Sequence, residues 1–218
     1  MSSALYDPSV YDGCPSLYDA GYKFDLKNGQ DLVQSKFADL FIQHNVERIF
    51  GLSLLHRHFD LAANERLVEY RGTSVPWEET LEKASPYIRP DNWALAKDGS
   101  FRPFEFHYSM QDFDEDEHVP SDPRYLSFVQ ALKSLLHEEG VTDLFGLCKY
   151  PGDGYKGRVE VTEGRANINL DPSDYPNNAN TREAAWYFST ELKGKCVCTC
   201  AFTNSGHSGR HGGHVASR

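Results

Sequence analysis

No stretch of this chain approaches the roughly 18 apolar residues that a membrane-spanning helix needs. The opening residues, MSSALYDPSVYDGCPSLYD, have neither the basic start nor the apolar block of a secretory leader. Basic residues are scarce: 22 Lys and Arg against 32 Asp and Glu leave a formal net charge of −10. That balance disfavours sequence-independent binding to a phosphate backbone. Several catalytic signatures are missing as well: there is no phosphate-binding Gly loop, dinucleotide fingerprint, Gly-x-Ser-x-Gly elbow or His-Glu-x-x-His. Cysteines number only five, an odd count, and three of them lie too close together for separate disulfides. The reading is a reducing, cytoplasmic compartment with no nucleic-acid or membrane partner, in which Cys beside His more often means a metal than a disulfide.

What the chain does have is concentrated at its C-terminus. Cys196, Cys198, Cys200, His207, His211 and His214 crowd a segment in which Thr203 to His214 carries no apolar side chain. Such a segment cannot order itself by burying surface, whereas thiolates and imidazoles together suit zinc, and closing a metal site can supply folding energy. In an extended strand Cys-x-Cys-x-Cys puts three sulfurs on one face. The His207-x3-His211 spacing fits a zinc knuckle, and the Cys half is one residue tight. Six ligands exceed the four of a tetrahedral ion, so the expectation is a zinc, or another divalent transition metal, held by a subset of them. A plain Gly/Ser/His-rich tail is the alternative.

A second constellation is His56-Arg57-His58. Strict alternation from Phe50 through Leu52 and Leu54 would place His56 and His58 on the same, core-facing side of a strand. Two imidazoles at i and i+2 lie about 6.6 Å apart at their backbones. Glu105 and His107 share a face of another expected strand, Phe101–Tyr108. A His/His/carboxylate set can hold a metal with an open position or move protons near neutral pH. Histidines capping a core and bonded to carbonyls are the bland alternative.

The length of 218 residues and a hydrophobic fraction of 39% with 13% aromatics suit one well-buried core. Val46-Glu-Arg-Ile-Phe-Gly-Leu52 is echoed by Val141-Thr-Asp-Leu-Phe-Gly-Leu147, each after an amphipathic helix, roughly Asp31–His44 and Pro123–Glu139. Strands are expected at Arg66–Tyr70, Arg158–Thr162 and Ala166–Leu170. A hairpin is expected around Asp98-Gly99, with short helices after Pro76 and over Thr181–Phe188. The predicted fold is α+β, with internally duplicated helix–strand–strand units on an antiparallel sheet. Residues 1–29 read as an irregular arm, 30–190 as one domain with possible repeats at 30–72 and 122–170, and 191–218 as a metal-binding tail.

His-x-His on a strand is superficially similar to the first cupin motif, but Glu65 comes seven residues after His58, where the motif needs four or five. The paired units resemble more closely the vicinal-oxygen-chelate folds, whose ligands come from strands of both halves. Here the second copy has Pro151 and Asp153 where the first has His56 and His58. The run Gly51-Leu-Ser-Leu-Leu-His-Arg-His-Phe59, with Val75-Pro76-Trp77 and the terminal Cys/His cluster, resembles uncharacterised proteins of filamentous fungi. That resemblance implies a setting in fungal secondary metabolism and carries no established activity.

The function expected is therefore a small-molecule enzyme acting on an apolar or aromatic substrate. It would be metal-dependent or use histidine acid/base chemistry, of metal-assisted lyase or oxygenase type, with His56, His58, Glu105 and His107 at its centre. A non-enzymatic, zinc-stabilised protein-interaction module is the alternative.

Overall fold

Turn chemistry sets the local structure. Asp98-Gly99, with Gly99 at φ 77°, joins β4 (Ile88–Leu95) to β5 (Phe101–Tyr108), and Gly164 at φ 59° joins β7 (Arg158–Glu163) to β8 (Ala166–Leu170). The computed structural model describes residues 6–78, 87–110, 118–175, 180–189 and 195–201, with the backbone path alone for 195–198. Within it the remaining strands are β1 (Phe50–Leu54), β2 (Glu65–Tyr70), β3 (Thr73–Glu78), β6 (Phe145–Lys149), β9 (Thr181–Tyr187) and β10 (Lys195–Ala201). They close into one barrel in the order β1-β6-β4-β5-β2-β3-β8-β7-β10-β9, and β9 pairs back with β1. Two of its pairings are parallel, β2 with β5 and β7 with β10.

Helices cover one side. α1 (Pro8–Gly13) is capped by Asp7 and α2 (Leu17–Leu26) by Ser16, each side chain accepting a backbone N–H of the first turn. α3 (Gly29–Leu32) runs through a π-helical stretch, Val33–Phe37, into α4 (Ala38–Gln43). α5 (Leu126–Glu138) follows a 3₁₀ turn capped by Asp122. Phe37 and Phe41, with Phe128 and Leu132 of α5, bury the outer faces of β1, β6, β4 and β9 through Phe50, Leu52, Leu147, Trp93 and Trp186. Phe24 of α2 stacks on Trp186 at 5.4 Å between ring centroids. No helix among the described residues is long and apolar enough to cross a membrane.

The α+β expectation is overturned: the architecture is a closed, mixed barrel rather than an antiparallel sheet carrying repeated helix–strand–strand units. The two Phe-Gly-Leu segments do not head separate units. They lie side by side as β1 and β6, antiparallel, with Leu52 opposite Leu147. β1 sits between β6 and β9, and β6 between β1 and β4, so each of these strands lies in the arc formed by the other half of the chain. A unit read locally along the sequence cannot close on itself in that arrangement.

A smaller expectation also falls. Thr181–Phe188 is strand β9 rather than a helix, because Leu52 and the β10 backbone pair with it on either side. Pro76 itself lies inside β3, and the helix expected after it falls on residues 79–86, outside the described residues. The first 29 residues, read as an arm, carry α1 and α2.

Candidate metal centre and cavity

Pairing partners across a ladder share a face, and the partners Ser53–Ala185, Cys148–Asn92 and Asn92–Glu105 all line the cavity on the side away from the helices. Seven strands contribute to the cavity they enclose, about 280 Å³, inside the barrel. That is near the lower end for small-molecule sites.

His56 and His58 both line it, with ring centroids 4.8 Å apart. They reach it by a different route from strict alternation. β1 ends at Leu54, and the chain then lies against the α1–α2 linker: Arg57 N–H donates to the Pro15 carbonyl at 2.9 Å, and Arg57 Nη1 donates to the Asp12 carbonyl at 3.1 Å. Phe50 and Leu52 consequently pack under the helices, whereas Ser53, His56 and His58 line the cavity.

Hydrogen-bond polarity fixes the imidazoles. His56 Nδ1 is 2.9 Å from the Leu54 carbonyl, which can only accept, so Nδ1 carries the hydrogen and Nε2 presents a lone pair. The Thr162 hydroxyl donates to Asn167 Oδ1 at 3.3 Å and so accepts from His58 Nδ1 at 3.4 Å. The Asn167 amide N–H groups lie 3.3 Å from His58 Nε2 and 3.3 Å from Glu160 Oε2. Burial lowers the pKa of His56 despite its carbonyl partner and the nearby Glu160, so the neutral ring is favoured.

Cys200 of β10 completes the group. Its Sγ is 3.3 Å from His56 Nε2 and 3.1 Å from Glu160 Oε2. His56, Glu160 and Cys200 are all buried, and their ligand atoms lie within 4.8 Å of one another. Arg158 donates from Nε and Nη2 to the other carboxylate oxygen, Oε1, both at 2.7 Å. Burial pushes Glu160 up, but Arg158, then His58 and His56, outweigh it and hold the carboxyl well below the usual range. A nitrogen, an oxygen and a sulfur thus converge at one buried point. A tetrahedral zinc with Zn–N near 2.0 Å and Zn–S near 2.3 Å holds such a pair about 3.5 Å apart, close to the separations here. The group could hold a metal.

Glu105 stands across the cavity from these atoms, its Oε1 3.6 Å from His58 Nε2. Burial, reinforced by the charge of Glu160, raises its pKa to about 8, and Asn92 donates to its Oε2. His107 also lines the cavity but turns to Asp91, 3.4 Å away, rather than to His58. Burial pushes Asp91 up; its contact with His107 outweighs that and keeps the carboxyl below the usual range.

Of the six C-terminal ligands expected from the sequence, the structure places Cys200 in this group. Cys196 and Cys198 lie on β10, with side chains outside the described residues, as do His207, His211 and His214 altogether. The one-face reading of Cys-x-Cys-x-Cys needs unbroken alternation, and the β9–β10 register slips on both sides of Cys198. Sequence reasoning missed Glu160, Arg158, Thr162 and Asn167. The alternation Arg158-Val-Glu-Val-Thr162 was the available signal, a polar face and an apolar face on one strand, but it reads equally well as a solvated outer face. Comparison with known protein families, curated proteins and solved structures finds no match to this chain.

Proposed function

We propose that this protein is a metal-dependent enzyme for a small apolar or aromatic molecule, holding one divalent transition metal, zinc foremost, with His56, Glu160 and Cys200. The observation that carries the reading is the convergence of three buried ligand atoms, a nitrogen, an oxygen and a sulfur, within 4.8 Å of one another. Burying the charge of Glu160 costs free energy, which a cation held beside it would offset. Three protein ligands of mixed N, O and S type beside a cavity resemble open catalytic sites more than closed structural ones.

The metal would act as a Lewis acid on a substrate oxygen. His58, whose Nε2 lies 3.3 Å from the Asn167 amide and 3.6 Å from Glu105, would take up a proton from the substrate. Glu105, neutral over much of the physiological range and 3.6 Å from that nitrogen, supplies or receives the proton in turn. Asn167 keeps His58 and Glu160 in register.

Elemental analysis tests the site on protein purified without chelator or affinity tag. About one equivalent of zinc is expected in the unaltered chain, below a tenth in His56→Ala and Cys200→Ala, and undiminished in His207→Ala/His211→Ala/His214→Ala. Zinc that follows the three tail histidines instead would move the metal out of the barrel and sink this reading.

A further inference from the structure

The cavity contains a second recognition element at its rim. The carboxylates lining it already face other groups: Glu160 accepts from Arg158 and Asn167, Glu105 from Asn92 and Glu69 from the Gly72 N–H, and Asp91 lies 3.4 Å from His107 Nδ1. Arg158 is committed to Glu160 by two bonds. Lys149, at the end of β6, also lines the cavity, and its ammonium has no hydrogen-bond or ion-pair partner among the described residues. Its backbone is fixed, because its carbonyl accepts the Tyr187 hydroxyl at 3.3 Å. The residue is thus anchored at the cavity by its backbone, and the charge of its ammonium reaches Asp91 without a direct bond.

Beside it stand aromatic rings. Tyr187 packs edge-on against Tyr150 at 5.8 Å and Tyr155 at 6.4 Å between centroids. A Cβ on Gly51 would come within 2.3 Å of the Tyr187 ring, so the ring lies directly on the β1 backbone and has no room to withdraw. One wall thus combines fixed aromatic surface with an ammonium that makes no direct bond among the described residues. The chain's net charge of −10 opposes an approaching anion, but that field is screened over about 8 Å at physiological salt, so the local cation decides recognition once the rim is reached.

We infer that the cavity takes a small aromatic or unsaturated carboxylic acid, its carboxylate paired with Lys149 and its ring against Tyr187 and Tyr155. The inference rests on the proposed function in taking this cavity as the substrate site. It adds the acidic group and the residue that reads it. The small volume favours a single ring over a fused one.

The test uses the zinc-supplemented full chain, with benzoate and its neutral isostere benzamide as probes, followed by calorimetry. Benzoate should bind at least tenfold more tightly than benzamide. Lys149→Gln should weaken benzoate roughly tenfold, the scale of one charge-assisted contact, and leave benzamide and zinc content unchanged. Equal binding of the two probes, or no binding of benzoate, overturns the inference. A benzoate preference that survives Lys149→Gln overturns it too, since the carboxylate would then be sitting on the metal. Zinc measured on the same samples separates the two levels: zinc present without discrimination sinks this inference alone, and zinc absent sinks the site reading beneath it.

Discussion

At the scale of single residues the cavity is organised by an asymmetry between two buried carboxyls. Glu160 is held ionised because Arg158 and the two imidazoles outweigh its desolvation; for Glu105, burial and the charge of Glu160 outweigh the more distant Arg158 and the Asn92 bond, and keep its proton on. Environments that push two acids apart in this way are how one site supplies both a base and an acid. The sign of the Glu105 shift has a consequence for stability. Its pKa in the fold is about 8, above the ordinary 4.5, so its contribution is fully present below about pH 4.5 and is lost as pH rises through about 8. Glu105→Gln, which mimics the protonated form, should therefore gain stability relative to the unaltered protein between pH 5 and 8, with the difference levelling off above 8. Urea unfolding of chelator-treated protein across that range checks it. A difference that is flat with pH would mean Glu105 is ionised throughout.

At the scale of elements, the His-Arg-His segment depends on a contact far away in sequence. It follows the end of β1 and is held by the α1–α2 linker through a single parallel bridge, Ser16 to Arg57. Arg57 is buried, with its guanidinium on the Asp12 carbonyl and 3.8 Å from Asp60. Removing that tether should loosen His56 without touching a ligand. Arg57→Ala is expected to weaken zinc binding by roughly tenfold, the lower end for residues that orient metal ligands. Competition against a chromophoric chelator measures it, and unchanged affinity would show that the segment is held without Arg57. The same contact explains what was legible in the sequence. His56, His58, Glu105 and Cys200 stood out by residue type, and strands β2, β5, β7 and β8 stood out by alternation and turns. The facing of the histidines did not, because alternation stops where β1 stops. Nor did the partnership of Cys200 with His56, 144 residues away, since it is made by the parallel docking of β10 on β7. Thr181–Phe188 misled because Glu183, Ala184 and Ala185 are compatible with a helix, while ladders on both sides of Trp186 impose a strand.

At the scale of the whole molecule, the three proposed ligands come from the residues after β1, from β7 and from β10, so a bound ion would join elements that only the closed barrel brings together. The unfolded chain has no such site, and binding to the native state alone raises stability by mass action. Zinc at a hundred times its dissociation constant would add about 2.7 kcal/mol, which for a chain of 218 residues corresponds to a rise in Tm of roughly 5–10 °C. Thermal melts at buffered free zinc should therefore show a Tm that climbs with zinc in the unaltered protein and stays level in Cys200→Ser. The climb should shrink on acidification, because the thiolate and neutral-imidazole forms bind the ion. It should survive some way below the ordinary histidine range, since burial keeps His56 in its ligand form there. If the Tm is indifferent to zinc while elemental analysis still finds an equivalent bound, the ion lies outside the barrel. The His56, Glu160 and Cys200 cluster would then be a hydrogen-bonded core feature.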